Sequence, residues 1–135
     1  MTGGDQYKLF GVYVSGPVAD ALADTLYDEA GVVDPETYFD DSMDSVPAGD
    51  PGGEVTAALV ADIRASFTDL YDRADFESAA AVAPDAFSLV HLAATPQTVT
   101  EVRERFRAAA TIQETDLRTV QTAILAAALD VETTA

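Results

Sequence analysis

"PDAFSLVHLAAT", Pro84 to Thr95, decides the fold of this chain. Pro84 offers the first turn of a helix, and the alanines that follow favour helix. "FSLVHLA" also reads as a buried strand, being short and apolar. Its natural partner is then "YKLFGVYVSG", Tyr7 to Gly16, whose aromatic and β-branched residues end in a glycine and mark a strand with apolar faces. The helix reading is adopted for 84–95 because the chain around it is helical. The fold class expected is therefore mainly α: a compact bundle of four to five helices with a short N-terminal β segment. The alternative is α+β, with strands near 7–14 and 87–93.

The surrounding segments carry clear helical signals. "PVADALADTLYDEAG" places Pro17 in a first turn and Gly31 at the stop, with Val18, Leu22, Leu26 and Ala30 on one stripe. Asp34 and Pro35 offer an N-cap and first position for one short turn. Val55, Leu59, Ile63, Phe67, Leu70 and Ala74 recur at helical spacing and predict one long helix over 54–80. Thr95 and Pro96 form the next N-cap and first-turn pair, leading into Val99, Val102, Phe106 and Ala109 or Ala110. A last helix is predicted over 115–131, with Leu117, Val120, Ile124 and Ala127 or Ala128 inward. Residues 1–135 are expected as one domain, with 1–6 as a loose tail and 40–53 as an acidic glycine- and proline-rich loop.

Charge is the strongest compositional signal. The chain holds 24 Asp and Glu against 7 Lys and Arg, for a net charge of −17. Lys8 is the one lysine, and no further basic residue occurs before Arg64. Asp20, Asp24 and Asp28 repeat every four residues, rotated away from the apolar stripe. Like charges at that spacing cost about 0.2–0.5 kcal/mol per pair in dilute buffer. At about 1 M salt the Debye length falls to about 3 Å and most of that cost vanishes. The ladder therefore reads as the surface of a protein from an extreme halophile, with a polyanionic surface for a basic partner as the competing reading.

Several chemistries are excluded. The chain has no cysteine and a single histidine, His91, so thiol nucleophiles, disulfides and classical zinc sites are out. No P-loop lysine follows a glycine run, and no G-x-G-x-x-G follows the strand. "YFDDSMDSVPAGDPGGE", Tyr38 to Glu54, fails as an EF-hand. Counting from Asp40, the glycine position holds Ser45 and the last ligand position holds Pro51. No cofactor is expected, and a looser Ca²⁺ or Mg²⁺ site is confined to Asp40, Asp41 and Asp44. A Ser-His-Asp set would need Ser88, His91 and Asp85, but no nucleophile-elbow glycines flank Ser88. His91 reads instead as a partly buried residue between Val90 and Leu92, and no catalytic residue is assigned.

"EVRERFR", Glu101 to Arg107, holds three of the six arginines. Arg103, Arg107 and Arg118 are the candidates for contact with an anion or a partner. Against a nucleic-acid role stand the net charge and the Glu101–Arg105 and Glu114–Arg118 spacings, which suit ion pairs. The strand offers a candidate edge through Tyr7, Phe10, Val12 and Val14, a mode by which proteins add partner strands. No membrane span is expected, since no apolar run approaches about 20 residues. The opening residues show no basic, apolar leader, and the expected location is a cytoplasm, or a particle assembled in a high-salt one. The functional expectation is a non-enzymatic interaction or assembly protein adapted to high salt, a homo-oligomer or a binder of other proteins. A repeated structural subunit, such as a virion component, belongs to that class. The alternative is a carboxylate-based small-ligand or divalent-metal-binding protein or enzyme.

Overall fold

In the computed structural model, residues 6–34, 38, 39 and 45–133 are described. Strand β1 (Gln6–Ser15) leads into helix α1 (Gly16–Ala30), followed by β2 (Ser45–Pro47) and α2 (Pro51–Ala65). Two short helices, α3 (Phe67–Arg73) and α4 (Phe76–Ala80), precede β3 (Phe87–Ala94). Helices α5 (Pro96–Gln113) and α6 (Leu117–Leu129) complete the chain. The protein is mainly helical, with one small antiparallel sheet in the order β2-β1-β3.

Residues 87–93 are therefore strand, and the helix expected over 84–95 is corrected. Pro84 opens only a single 3-10 turn, Pro84–Ala86. The next eight residues pair antiparallel with β1, from Phe87 opposite Ser15 to Ala94 opposite Lys8. Leu92, Ala93 and Ala94 are buried in that pairing. Cross-strand burial outweighs the weak intrinsic preference of alanine for helix. The register narrows the expected edge of β1 to residues 9–15, which among the described residues have no strand partner on the side away from β3. Tyr7, Phe10, Val12 and Val14 lie on the central strand, with β3 along one side and β2 along residues 6–8 of the other.

The helix expected over 54–80 is three helices. A kink at Ser66 ends α2, where the backbone leaves helical geometry at φ −114 and ψ 21. Asp75 then starts α4 afresh, its carboxylate accepting the Ser78 N–H at 3.0 Å and the Ser78 hydroxyl at 2.7 Å. That cap is stronger than the pull of the stripe, because it satisfies a donor the short helix would otherwise leave unpaired. The Ser78 N–H first, and then the Ser78 hydroxyl, hold the Asp75 carboxyl below the usual aspartate range. On α2 the buried face centres on Thr56, Val60 and Ile63, while Val55 and Leu59 are half-buried. Leu117, expected inward, is exposed at the start of α6.

Other expectations coincide with the structure. On α1, Val18, Leu22 and Leu26 are buried and Asp20, Asp24 and Asp28 are exposed. Gly31 ends that helix in the left-handed conformation at φ 70, donating to Tyr27 O, while Val32 donates to Leu26 O. Thr95 caps α5, whose Val99, Val102, Phe106 and Ala109 face the core. Helix α6 is buried from Thr119 to Ala126 on all sides, as a central helix must be.

Of the expected 40–53 loop, residues 40–44 lie outside the described residues, while Ser45–Pro47 form β2 and residues 51–53 open α2. Val46 is buried opposite Tyr7, and Asp50 caps α2 by accepting the Gly53 N–H at 2.9 Å. Gln6, placed in the expected tail, pairs with Pro47, and residues 1–5 lie outside the described residues. Tyr38 locks the segment before the loop onto α2. Its hydroxyl donates to Asp50 Oδ2 at 2.7 Å and accepts the Gly52 N–H at 3.2 Å. A Cβ on Gly52 would stand 2.5 Å from Tyr38 Cε1, so only glycine admits the ring there.

Burial first, and then the hydrogen bond to Asp50, raises the Tyr38 hydroxyl above its ordinary pKa of 10.0; the Gly52 N–H opposes this. The bond therefore stabilises the fold fully below the unfolded value, and that stabilisation is lost as pH rises through the higher folded value. Tyr38→Phe is expected to cost about 1–2 kcal/mol at neutral pH. The difference from wild type should narrow above pH about 10, and urea midpoints at the two pH values measure it.

Candidate interaction surface

Side chains alternate across a strand, and the two faces of this sheet differ. Phe10, Val12 and Val14 of β1, with Leu92 of β3 opposite Phe10, are buried in the core. The other face carries Tyr7, opposite Val46 of β2, and Leu9, Gly11, Tyr13 and Ser15 of β1, opposite Ala93, His91, Leu89 and Phe87 of β3. At the Tyr7 end this face is covered by the first turn of α2. A Cβ on Gly53 would meet Val46 Cγ2 at 2.9 Å and Tyr7 Cδ2 at 3.4 Å, and Leu9 and Ala93 are buried.

Between Leu9 and Ser15 the face opens to solvent, and it closes again at Ser15, which is buried and donates its hydroxyl to Thr133 O. Tyr13 is 50% exposed and Leu89, directly opposite it, is 41% exposed. Gly11 makes room for Leu89, since a Cβ there would stand 2.8 Å from Leu89 Cδ1. Half-buried Phe87 lies beneath the Arg118 guanidinium, which is 4.9 Å from the ring centroid. Arg118 Nη2 also approaches Asp116 Oδ2 at 3.6 Å. Neither β1 nor β3 contains an Asp or Glu. In a chain of net charge −17, the two strands of this face carry no carboxylate, and His91 is the one titratable side chain that β3 adds to it.

The strand borders of this surface are sealed by helical side chains. Along β1, Gln121 Oε1 of α6 accepts the Tyr13 N–H at 3.0 Å, and the Thr122 hydroxyl donates to Tyr13 O at 3.4 Å. Along β3, the Thr56 hydroxyl of α2 accepts the Ala93 N–H at 2.9 Å and donates to Ala93 O at 3.1 Å. Backbone groups that would recruit another strand are thus occupied at these two positions. The available contact is through side chains on the face.

Of the three candidate arginines, only Arg118 reaches this surface. Arg103 and Arg107 are exposed on α5, while the contacts of Arg118 are Phe87 and Asp116. The expected ion pairs are partly rearranged. Asp69 and Arg73 pair at 3.0 Å, as their spacing implies. Glu101, however, binds Arg64 across the groove between α2 and α5, and Arg105 sits over the Phe67 ring at 5.8 Å. Glu114 takes the left-handed conformation after α5, which removes the helical register assumed for a pair with Arg118. The signal missed in the sequence was Phe87: an aromatic ring that orients Arg118 once residues 87–94 are strand.

Catalytic and metal chemistry gain no geometry. Ser88 and His91 are three residues apart on one strand, so alternation puts them on opposite faces. Asp40, Asp41 and Asp44 lie outside the described residues, among which no cluster of three or more His, Asp or Glu could hold a metal ion. No helix among the described residues is long and apolar enough to cross a membrane. No protein family, no curated protein and no solved structure matches the chain.

Proposed function

We propose that this chain is a non-enzymatic interaction or assembly protein that works in molar salt, in a cytoplasm or in a particle assembled there. The reading is carried by the open face of the sheet, where Tyr13 and Leu89 are exposed on two strands that hold no Asp or Glu, on a chain otherwise dense in them. Exposed aromatic and aliphatic groups flanked by an arginine are the composition of interface centres. The exposed ladder of Asp20, Asp24 and Asp28, with no basic residue between Lys8 and Arg64, supports the salt requirement.

The test uses the full chain in its native cells. Cross-linked and recovered in molar KCl, it is expected in a complex heavier than its own 14.2 kDa. Leu89→Glu should release it from that complex while its circular dichroism stays unchanged. A wild-type chain recovered only as a free monomer under these conditions would overturn the reading.

A further inference from the structure

We propose that the strap after α6, residues 131–133, is a latch that ionic strength opens and closes, and that it covers the Ser15 end of the open sheet face. Helix α6 ends at Leu129, and Asp130 turns the chain in the left-handed conformation at φ 56. The Asp130 N–H donates to Ala127 O at 3.3 Å and the Val131 N–H to Ala126 O at 2.9 Å, which completes the helix end. Beyond those bonds the strap is tied to the body by the Ser15 hydroxyl, which donates to Thr133 O at 2.5 Å. Both partners are buried, Ser15 at 2% exposure and Thr133 at 5%.

The strap also forms one wall of a groove of about 330 Å³, whose other walls come from α6 and from the junction of α3 and α4. Three carboxylates line that groove: Asp75 at the start of α4, and Asp130 and Glu132 on either side of Val131. The cation on its wall, Arg73, is already held by Asp69 at 3.0 Å. Closure therefore brings the charges of the turn and the strap up to a third carboxylate, on a chain whose net charge is −17. All three are exposed, so added salt screens their repulsion. The hydrogen bond that opposes it is buried and uncharged, and salt leaves it in place. High salt thus favours the closed strap, and dilution favours the open one.

Opening uncovers Ser15 and extends the exposed part of the face from Tyr13 to the end of β1. That consequence for a partner rests on the assembly reading above; the latch itself stands on contacts within the single chain.

The chain has no cysteine, so one introduced thiol reports on the strap. Thr133→Cys keeps the latch, because the accepting atom is a main-chain oxygen. Its thiol is shielded while the strap is closed and reacts with N-ethylmaleimide when the strap opens. The reagent is uncharged, and Ala61→Cys, exposed on α2, supplies the reference rate at each KCl concentration. In about 2 M KCl the strap thiol should react about tenfold slower than the reference, or slower still. Lowering KCl within the range where circular dichroism is unchanged should narrow that ratio about threefold to fivefold. Ser15→Ala in the same background should speed the reaction about fivefold to tenfold. Ser15 makes no side-chain cap bond to α1, so this substitution removes the latch and leaves the helix start intact. Asp75→Asn with Glu132→Gln should flatten the salt dependence, and asparagine still caps α4.

A strap thiol that matches the reference rate in high salt overturns the inference, since the strap is then not closed. Indifference to Ser15→Ala overturns it equally, as does a rate that rises only together with loss of circular dichroism. A salt dependence that survives the paired neutralisation removes its electrostatic cause and overturns it too. None of these outcomes bears on the assembly reading, which stands or falls with the complex recovered from native cells.

Discussion

Moved from about 2 M KCl into buffer of about 10 mM ionic strength, the protein is expected to unfold, and to refold when KCl is restored. The cause is the excess of 17 negative charges confined to a chain of 135 residues. Spread over a folded sphere of radius about 20 Å, they repel far more than on the expanded chain. With a Debye length near 30 Å in dilute buffer and near 3 Å in molar salt, the difference is on the order of 10 kcal/mol. That is comparable with the whole stability of an ordinary domain. Circular dichroism across a KCl series reads the transition. Sucrose strengthens burial without screening charge, and should restore the fold far less effectively. A melting temperature independent of KCl over this range would show that the carboxylates are neutralised in another way.

A local variant isolates the same effect. Asp24 stands between Asp20 and Asp28 on the exposed side of α1. Asp24→Lys turns two repulsive contacts into attractive ones, a gain of about 1 kcal/mol in low salt. The gain should shrink towards zero in about 2 M KCl, since these charges are exposed and fully screened there.

The helical stripes were legible in the sequence because they depend on local spacing. Val18, Leu22 and Leu26, or Val99, Val102 and Phe106, need only the period of the helix to fall on one face. Caps were legible where proline accompanied them, as at Thr95 and Pro96. Asp75 was missed because the helix was carried past the last stripe residue, Ala74, to residue 80, over both Asp75 and its partner Ser78. Residues 87–94 were not decided by local pattern at all. Their alanines suit a helix, and only the eight-residue register with β1, more than seventy positions away in the chain, selects the strand. The open face inherits that difficulty. Gly11, Tyr13, Leu89 and Phe87 form one surface only after the register is known. Arg118 was identified among the cations, but its position over Phe87 follows from the same pairing.

The sheet depends on side chains for closure, and Thr56→Val is expected to expose that dependence at a cost of about 3 kcal/mol. Thr56 is fully buried, and its hydroxyl serves three backbone groups: the Ala93 N–H at 2.9 Å, Ala93 O at 3.1 Å and Gly53 O at 3.1 Å. Valine fills nearly the same volume, so packing is kept while the bonds are lost. Each buried group left without a partner costs about 1–3 kcal/mol, partly relieved by relaxation. Urea unfolding in molar KCl measures the loss, and the Ala93 amide should exchange its hydrogen faster. Thr56→Ser retains the hydroxyl and should lie much closer to wild type. A valine variant that loses less than about 1 kcal/mol would mean that water or another group already satisfies Ala93.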